Sequence, residues 1–136
     1  MEQYQVTFFS DFHEVDRYAV LLTDRLQGYY GPKMSSEINF HINFVLRELL
    51  NNAVEHGNAF MMNKKVTCHI HYDNKVIEIS VNDEGPGFAP SVNEVTKIND
   101  TGQQRSRGLW LIQQLGLSLD IEGNQVKATY YWREQV

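Results

Sequence analysis

The chain has 136 residues, 42% of them hydrophobic and 21% charged, and a formal net charge of −5. About 150 residues bury roughly 70% of the unfolded surface, so one domain with a real core is expected, while the acidic balance excludes a basic nucleic-acid footprint and a polybasic membrane patch. A single cysteine, Cys68, excludes an internal disulfide or a cysteine-cluster metal site; Glu2, Asp11 and Glu14 do not read as a signal peptide and no apolar run reaches 18 residues, so a cytoplasmic protein is expected.

Tyr4 to Phe9 is β-prone, and Phe12 to Leu26 carries Val15, Ala19, Leu22 and Leu26 at helical spacing, so a strand is followed by a helix that Gly28 to Pro32 should break. Ser35 and Ser36, with Glu37 in the first turn, open a second helix whose Ile38, Ile42, Val45, Leu49 and Ala53 share a face, and Gly57 closes it. Val66, Cys68, Ile70 and Tyr72 alternate with polar residues and, after Asp73-Asn74, a strand from Lys75 to Asn82 completes a hairpin. Gly85 to Arg107 has no sustained period, and so long a connection in a small domain reads as a functional lid. Leu109, Ile112 and Leu115 mark a third helix ended by Gly116, and Leu117–Ile121 with Gln125–Trp132 form a last hairpin about Gly123-Asn124.

Within the second helix, Glu48, Asn52 and His56 recur every four residues, which puts them on one stripe while Leu49, Leu50, Ala53 and Val54 face apolar packing. Taken alone the stripe also fits an exposed helix face. A carboxylate one turn before a carboxamide suits phosphoryl transfer: the amide oxygen can ligate Mg²⁺ and the carboxylate can accept a proton from an attacking hydroxyl.

Val81 to Phe88 reads V-N-D-E-G-P-G-F. As a bare pattern it is a Gly-Pro turn. As a site, its glycines admit a flat ring to the backbone and the Asp83 carboxylate, an acceptor only, takes a hydrogen bond from an exocyclic amino group. Adenine supplies that donor, whereas guanine sets a carbonyl against the carboxylate, a mismatch of about 1–3 kcal/mol. No G-x-x-x-x-G-K-[ST] is present, so another phosphate cradle is needed. Arg105-Ser106-Arg107-Gly108-Leu109 offers one, with Gly108 expected to open a helix whose free amides attract anions and Arg105 and Arg107 adding charge.

These three stretches, in this order, resemble the N, G1 and G2 boxes of the GHKL ATPase superfamily over nearly the whole chain. The resemblance implies an α/β chain (an α+β two-layer sandwich) with the Bergerat ATP-binding fold. A mixed, mostly antiparallel sheet would be covered on one face by helices, in a single histidine-kinase-like domain over residues 1–136. Within the superfamily, Glu48 four residues before Asn52 is similar to the anti-sigma-factor serine/threonine kinases. Histidine kinase catalytic domains usually carry Asn at that position and follow a helical segment bearing the target histidine, which is not found before Tyr4. The resemblance implies Glu48 as general base, Asn52 as Mg²⁺ ligand, and His56 near the phosphates or at the helix end. Asp83, Gly85 and Gly87 would form the adenine floor, and Thr129 would hold adenine through water. The implied cofactors are ATP and Mg²⁺. The implied partners are a sigma factor and a small antagonist that is phosphorylated on serine, with a homodimer suggested by relatives. Ser106 and Ala128 stand where the family usually has glycines, which favours an alternative: a nucleotide-switched binding module without kinase activity. A detached histidine kinase catalytic domain is the other alternative.

Among the remaining residues, His69 and His71 share a strand face but read as solvated. Trp110, Trp132 and Tyr29-Tyr30 read as packing, and Lys97 and Arg105 in the lid read either as contacts to a γ-phosphate or as solvated charges.

Overall fold

Alternation builds the sheet. In the computed structural model, which describes residues 1–86 and 104–133, β1 (Glu2–Phe9) turns Val6 and Phe8 inward and Thr7 and Phe9 outward. In β2 (Lys65–Tyr72), Val66, Cys68, Ile70 and Tyr72 are buried between more exposed neighbours. β3 (Val76–Asn82), β4 (Ser118–Glu122) and β5 (Gln125–Tyr131) complete a sheet in the order β1-β2-β3-β5-β4. All four pairings are antiparallel, so the sheet has no parallel pair among the described residues. Pairing Val6 with Cys68, Cys68 with Val81, and Ile79 with Ala128 joins the inward positions into one apolar face. The β2–β3 turn is closed by Asp73, whose Oδ1 accepts from the Lys75 and Val76 amides at 2.8 and 2.9 Å; those two bonds hold its carboxyl below the usual range.

Three helices cover that face. α1 (Phe12–Tyr30) starts on Asp11, which accepts from the His13 amide at 3.0 Å, and buries Val15, Ala19, Leu22, Leu26 and Tyr30. It runs through Gly28 and ends at Tyr30, capped by Gly31 and so within the expected Gly28–Pro32 break. An interior glycine costs about 1 kcal/mol against alanine, but Leu26 and Tyr30 on either side are both buried, and the Tyr30 hydroxyl donates to Asp73 O at 2.6 Å. α2 (Ser36–Asn52) is capped by Ser35, accepting from the Ile38 amide at 3.2 Å, and buries Ile42, Val45, Leu46, Leu49 and Leu50. It continues into a wide π-helical turn, Ala53–Gly57, closed by a bond from the Asn58 amide to Ala53 O at 2.8 Å. α3 (Gln104–Gln114) sets Leu109 and Ile112 into the core. It begins four residues earlier than the pattern placed it, so the end of the expected lid is helix.

The two-layer α+β arrangement is therefore the one expected. Among the described residues no helix is long and apolar enough to cross a membrane.

Candidate nucleotide site

The last turns of α2 carry the polar stripe into a cavity of about 300 Å³ bounded by Glu48, Asn51, Asn52, Glu55, His56, Arg107, Gly108 and Leu111. In a regular helix a residue four steps on drifts about 40° past its predecessor. The wide turn rotates less per residue, which offsets the drift and keeps His56 over the same cavity as Glu48 and Asn52. It also brings in Glu55, whose Oε2 lies 4.0 Å from His56 Nε2.

Two carboxylates face this space. Burial, and then the charge of Glu55, raise the pKa of the Glu48 carboxyl. α3 approaches Glu48 closely because residue 108 is glycine: a Cβ there would collide with Glu48 Oε2 and lie 3.7 Å from Asn52 Nδ2. Asn52 is only 5% exposed, and its Nδ2, like Asn51 Oδ1, is buried without a hydrogen-bond partner among the described residues. An unpartnered buried amide costs about 1–3 kcal/mol. A carboxamide presents either end by turning about its last bond, so Asn52 can offer an oxygen to a hard cation. With Glu48 and Glu55 supplying charge, the donor set fits Mg²⁺.

Asp83 sits where β3 ends, 6% exposed, its amide donating to Asn124 O at 3.2 Å and its carbonyl accepting from Asn124 Nδ2 at 2.5 Å. Oδ1 accepts from the Gly85 amide at 2.8 Å. Two glycines make the place tight. A Cβ on Gly57 would overlap the Asp83 carboxylate, and one on Gly85 would overlap the Gly57 carbonyl. The end of the wide turn thus rests on the Asp83 loop, and the two sequence stretches form one site. Asn58, fully buried, fastens them: Oδ1 accepts from the Glu84 amide at 2.7 Å, while Nδ2 donates to Ser10 Oγ at 2.6 Å and Lys65 O at 2.9 Å. The Glu84 carboxylate in turn accepts from the Lys65 amide.

Of the expected residues, Glu48, Asn52, His56 and Gly108 meet at the cavity, and Asp83 and Gly85 adjoin it through Gly57. Gly87 and Lys97 lie outside the described residues, as does the side chain of Arg105. Three expectations are corrected. Gly108 does not open a helix: it is the fifth residue of α3, so the free amides belong to residues 104–107 and its role is close approach to Glu48. Leu109 is fully buried in the apolar core and does not line the cavity.

Thr129 is not beside Asp83. It pairs with Glu78, five residues back along β3, roughly 16 Å away and on the opposite sheet face from Ile77, Ile79, Val81 and Asp83. On the Asp83 face the nearer β5 residue is Val126, in register with Val81. Arg107, expected to add charge to the phosphate cradle, also lines the cavity, whereas Asn51, Glu55, Leu111 and Asn58 were not singled out from the sequence. Glu55 was the most accessible to that reasoning, being seven residues after Glu48 and so two turns along the same helix face.

No curated protein matches the chain by sequence. Among solved structures, a mycobacterial sensor histidine kinase, MprB, superposes with a TM-score of 0.56 at 14% identity, over 98% of this chain and 100% of that one. The catalytic domain of the histidine kinase ThkA, in a nucleotide-free form, superposes with a TM-score of 0.53 at 18% identity, over 96% of both chains. At such identities the likeness is one of fold. The model of the histidine kinase-like ATPase domain matches residues 20–130, which take in the whole cavity, Asp83 and α3, and the chain belongs to that family.

Proposed function

We propose that the chain is an ATP- and Mg²⁺-dependent protein-serine/threonine kinase that acts as an anti-sigma factor, holding a sigma factor inactive and being displaced by a small antagonist whose serine it phosphorylates. The observation that carries the kinase reading is Glu48. It is a half-buried carboxylate with a raised pKa, in the same cavity as the unpartnered amide of Asn52. The sigma factor and antagonist rest on the resemblance of E-x-x-x-N-x-x-x-H-G to that kinase family.

Asp83 selects adenine through its amino group, and Gly57 and Gly85 keep the ring's approach open. Asn52 would hold Mg²⁺, with the Glu48 and Glu55 carboxylates adding negative charge; bound there, the ion would neutralise charge on the phosphates. Arg107, on the opposite wall, faces the same charge. The serine oxygen attacks the γ-phosphorus as the bond to the ADP oxygen breaks, and Glu48 takes the hydroxyl proton. A pKa moved upward by burial makes Glu48 a stronger base than an exposed glutamate.

The test compares wild type with Glu48→Gln for phosphate transfer from labelled ATP to a candidate antagonist, alongside ATP affinity by calorimetry. Affinity should stay within a few-fold while transfer falls by about 10²–10⁴. Equal transfer by both proteins would remove Glu48 as the base. A wild type that binds Mg·ATP and its partner but transfers nothing would establish the nucleotide-switched binding module instead.

A further inference from the structure

A second concavity, of about 440 Å³, lies between the end of β1 and the first turns of α1, lined by Thr7, Phe8, Phe9, Asp11, Glu14, Tyr18 and Met62. Its surroundings are unusually apolar for a surface. Phe9 is 56% exposed, Phe12 50%, Phe60 53% and Met62 63%, and the rings of Phe12 and Phe60 are 6.4 Å apart. The loop bearing Phe60 is held in a costly conformation: Ala59 and Phe60 have φ of 51° and 60°, a region that side chains other than glycine enter at about 1–3 kcal/mol each. It is nonetheless pinned, by the Phe60 amide to Val54 O at 2.8 Å and the Met61 amide to Asn58 O at 2.9 Å. The fold therefore holds the Phe60 ring half exposed, beside that of Phe12.

Two further observations say what fits there. β1 pairs only with β2 among the described residues, over an unbroken eight-residue register with no proline, lysine or bulge, so its outer backbone groups are open to another strand. Among the described residues, the charged ones lining the groove are Asp11 and Glu14; the nearby bases are Arg17, 3.4 Å from Glu14 as an exposed pair, and Lys65, over Phe9.

We infer that this groove docks an extended segment of a partner protein. The segment adds to β1 as a sixth strand, sets an apolar side chain between Phe9 and Met62, and places a lysine or arginine against Asp11 and Glu14. The inference does not depend on phosphate transfer.

A phage-displayed library of random 12-residue peptides, selected on the intact chain, tests it. Enriched peptides should pair alternating apolar residues with Lys or Arg and slow hydrogen exchange of β1 amides. They should lose at least tenfold in affinity on Phe9→Ser and on the Asp11→Asn/Glu14→Gln double variant. Asn at position 11 keeps the helix cap, and unchanged ATP affinity and circular dichroism would show that the variants are folded. Selection of no peptide, of peptides that bind the variants equally well, or of peptides without a base would overturn the proposal. A wild-type dimer in sedimentation that Phe9→Ser dissolves would also overturn it, giving the face to a second copy of the chain.

Discussion

Replacing Gly57 with alanine tests the contact that joins the helix end to the Asp83 loop. The new Cβ would sit 2.9 Å from Asp83 Cβ, against an ordinary contact that begins at 3.4 Å, and it would overlap the carboxylate more severely. Asp83 must therefore retreat by at least about 0.5 Å at Cβ and further at its oxygens. The Gly85 amide bond to Oδ1, 2.8 Å long, leaves about 0.7 Å before it ceases to be a hydrogen bond. A carboxylate so displaced forfeits a hydrogen bond to the ligand worth about 1.5–3 kcal/mol, a loss of roughly 10- to 150-fold in ATP affinity. Local propensity acts the other way, since alanine is favoured over glycine in a helix by about 1 kcal/mol. Calorimetric titration with ATP and Mg²⁺ reads the effect, and Gly28→Ala, whose new Cβ meets nothing within 4 Å, is the control that should bind normally and melt slightly higher. Wild-type ATP affinity in Gly57→Ala would refute the reasoning.

Three other outcomes are expected. Asn52→Ala should weaken Mg·ATP by at least about tenfold while leaving chelator-treated ATP binding nearly unchanged, as titrations with and without EDTA would show; an equal loss in both would make Asn52 structural. Because Glu48 has its pKa raised on folding, the native state holds its proton more tightly than the unfolded chain, so this contribution to stability is present at low pH and lost as pH rises through the carboxylate range. Urea unfolding should then find Glu48→Gln more stable than wild type at pH 7, with the gap closing below about pH 4; a variant less stable at pH 7 contradicts the burial argument. Asn58→Ala removes three hydrogen bonds and leaves their partners unmatched, for a loss of about 3–5 kcal/mol in urea unfolding, and a loss below about 1 kcal/mol would show that water replaces them.

What the sequence disclosed follows from periodicity. The alternation in Val66 to Tyr72 and the three-to-four spacing in α2 each depend on near neighbours along one element, and both elements formed where expected. Asp11 and Ser35 cap their helices, though only Ser35 stood out beforehand. Thr129 was misplaced because a motif match carries no register: in an antiparallel pair a shift of one residue changes the face, and only the pairing of Val81 with Val126 decides it. α3 starts early because Gln104 to Arg107 have no apolar periodicity to announce a helix. Asn58 escaped notice for a different reason, since its three partners come from β1's end, β2's start and the Asp83 loop, positions far apart in the chain.

The wide turn at Ala53–Gly57 amounts to one residue more than the helical path from Asn52 to Asn58 needs. Deleting a residue there would be predicted by helix length alone to be harmless, even beneficial, since it would restore regular bonding. It would also swing Gly57 about 100° around the axis and off Asp83, and carry His56 away from the cavity mouth. The surplus residue behaves as a spacer that trades regularity for aim, so this segment should tolerate changes of side chain far better than changes of length.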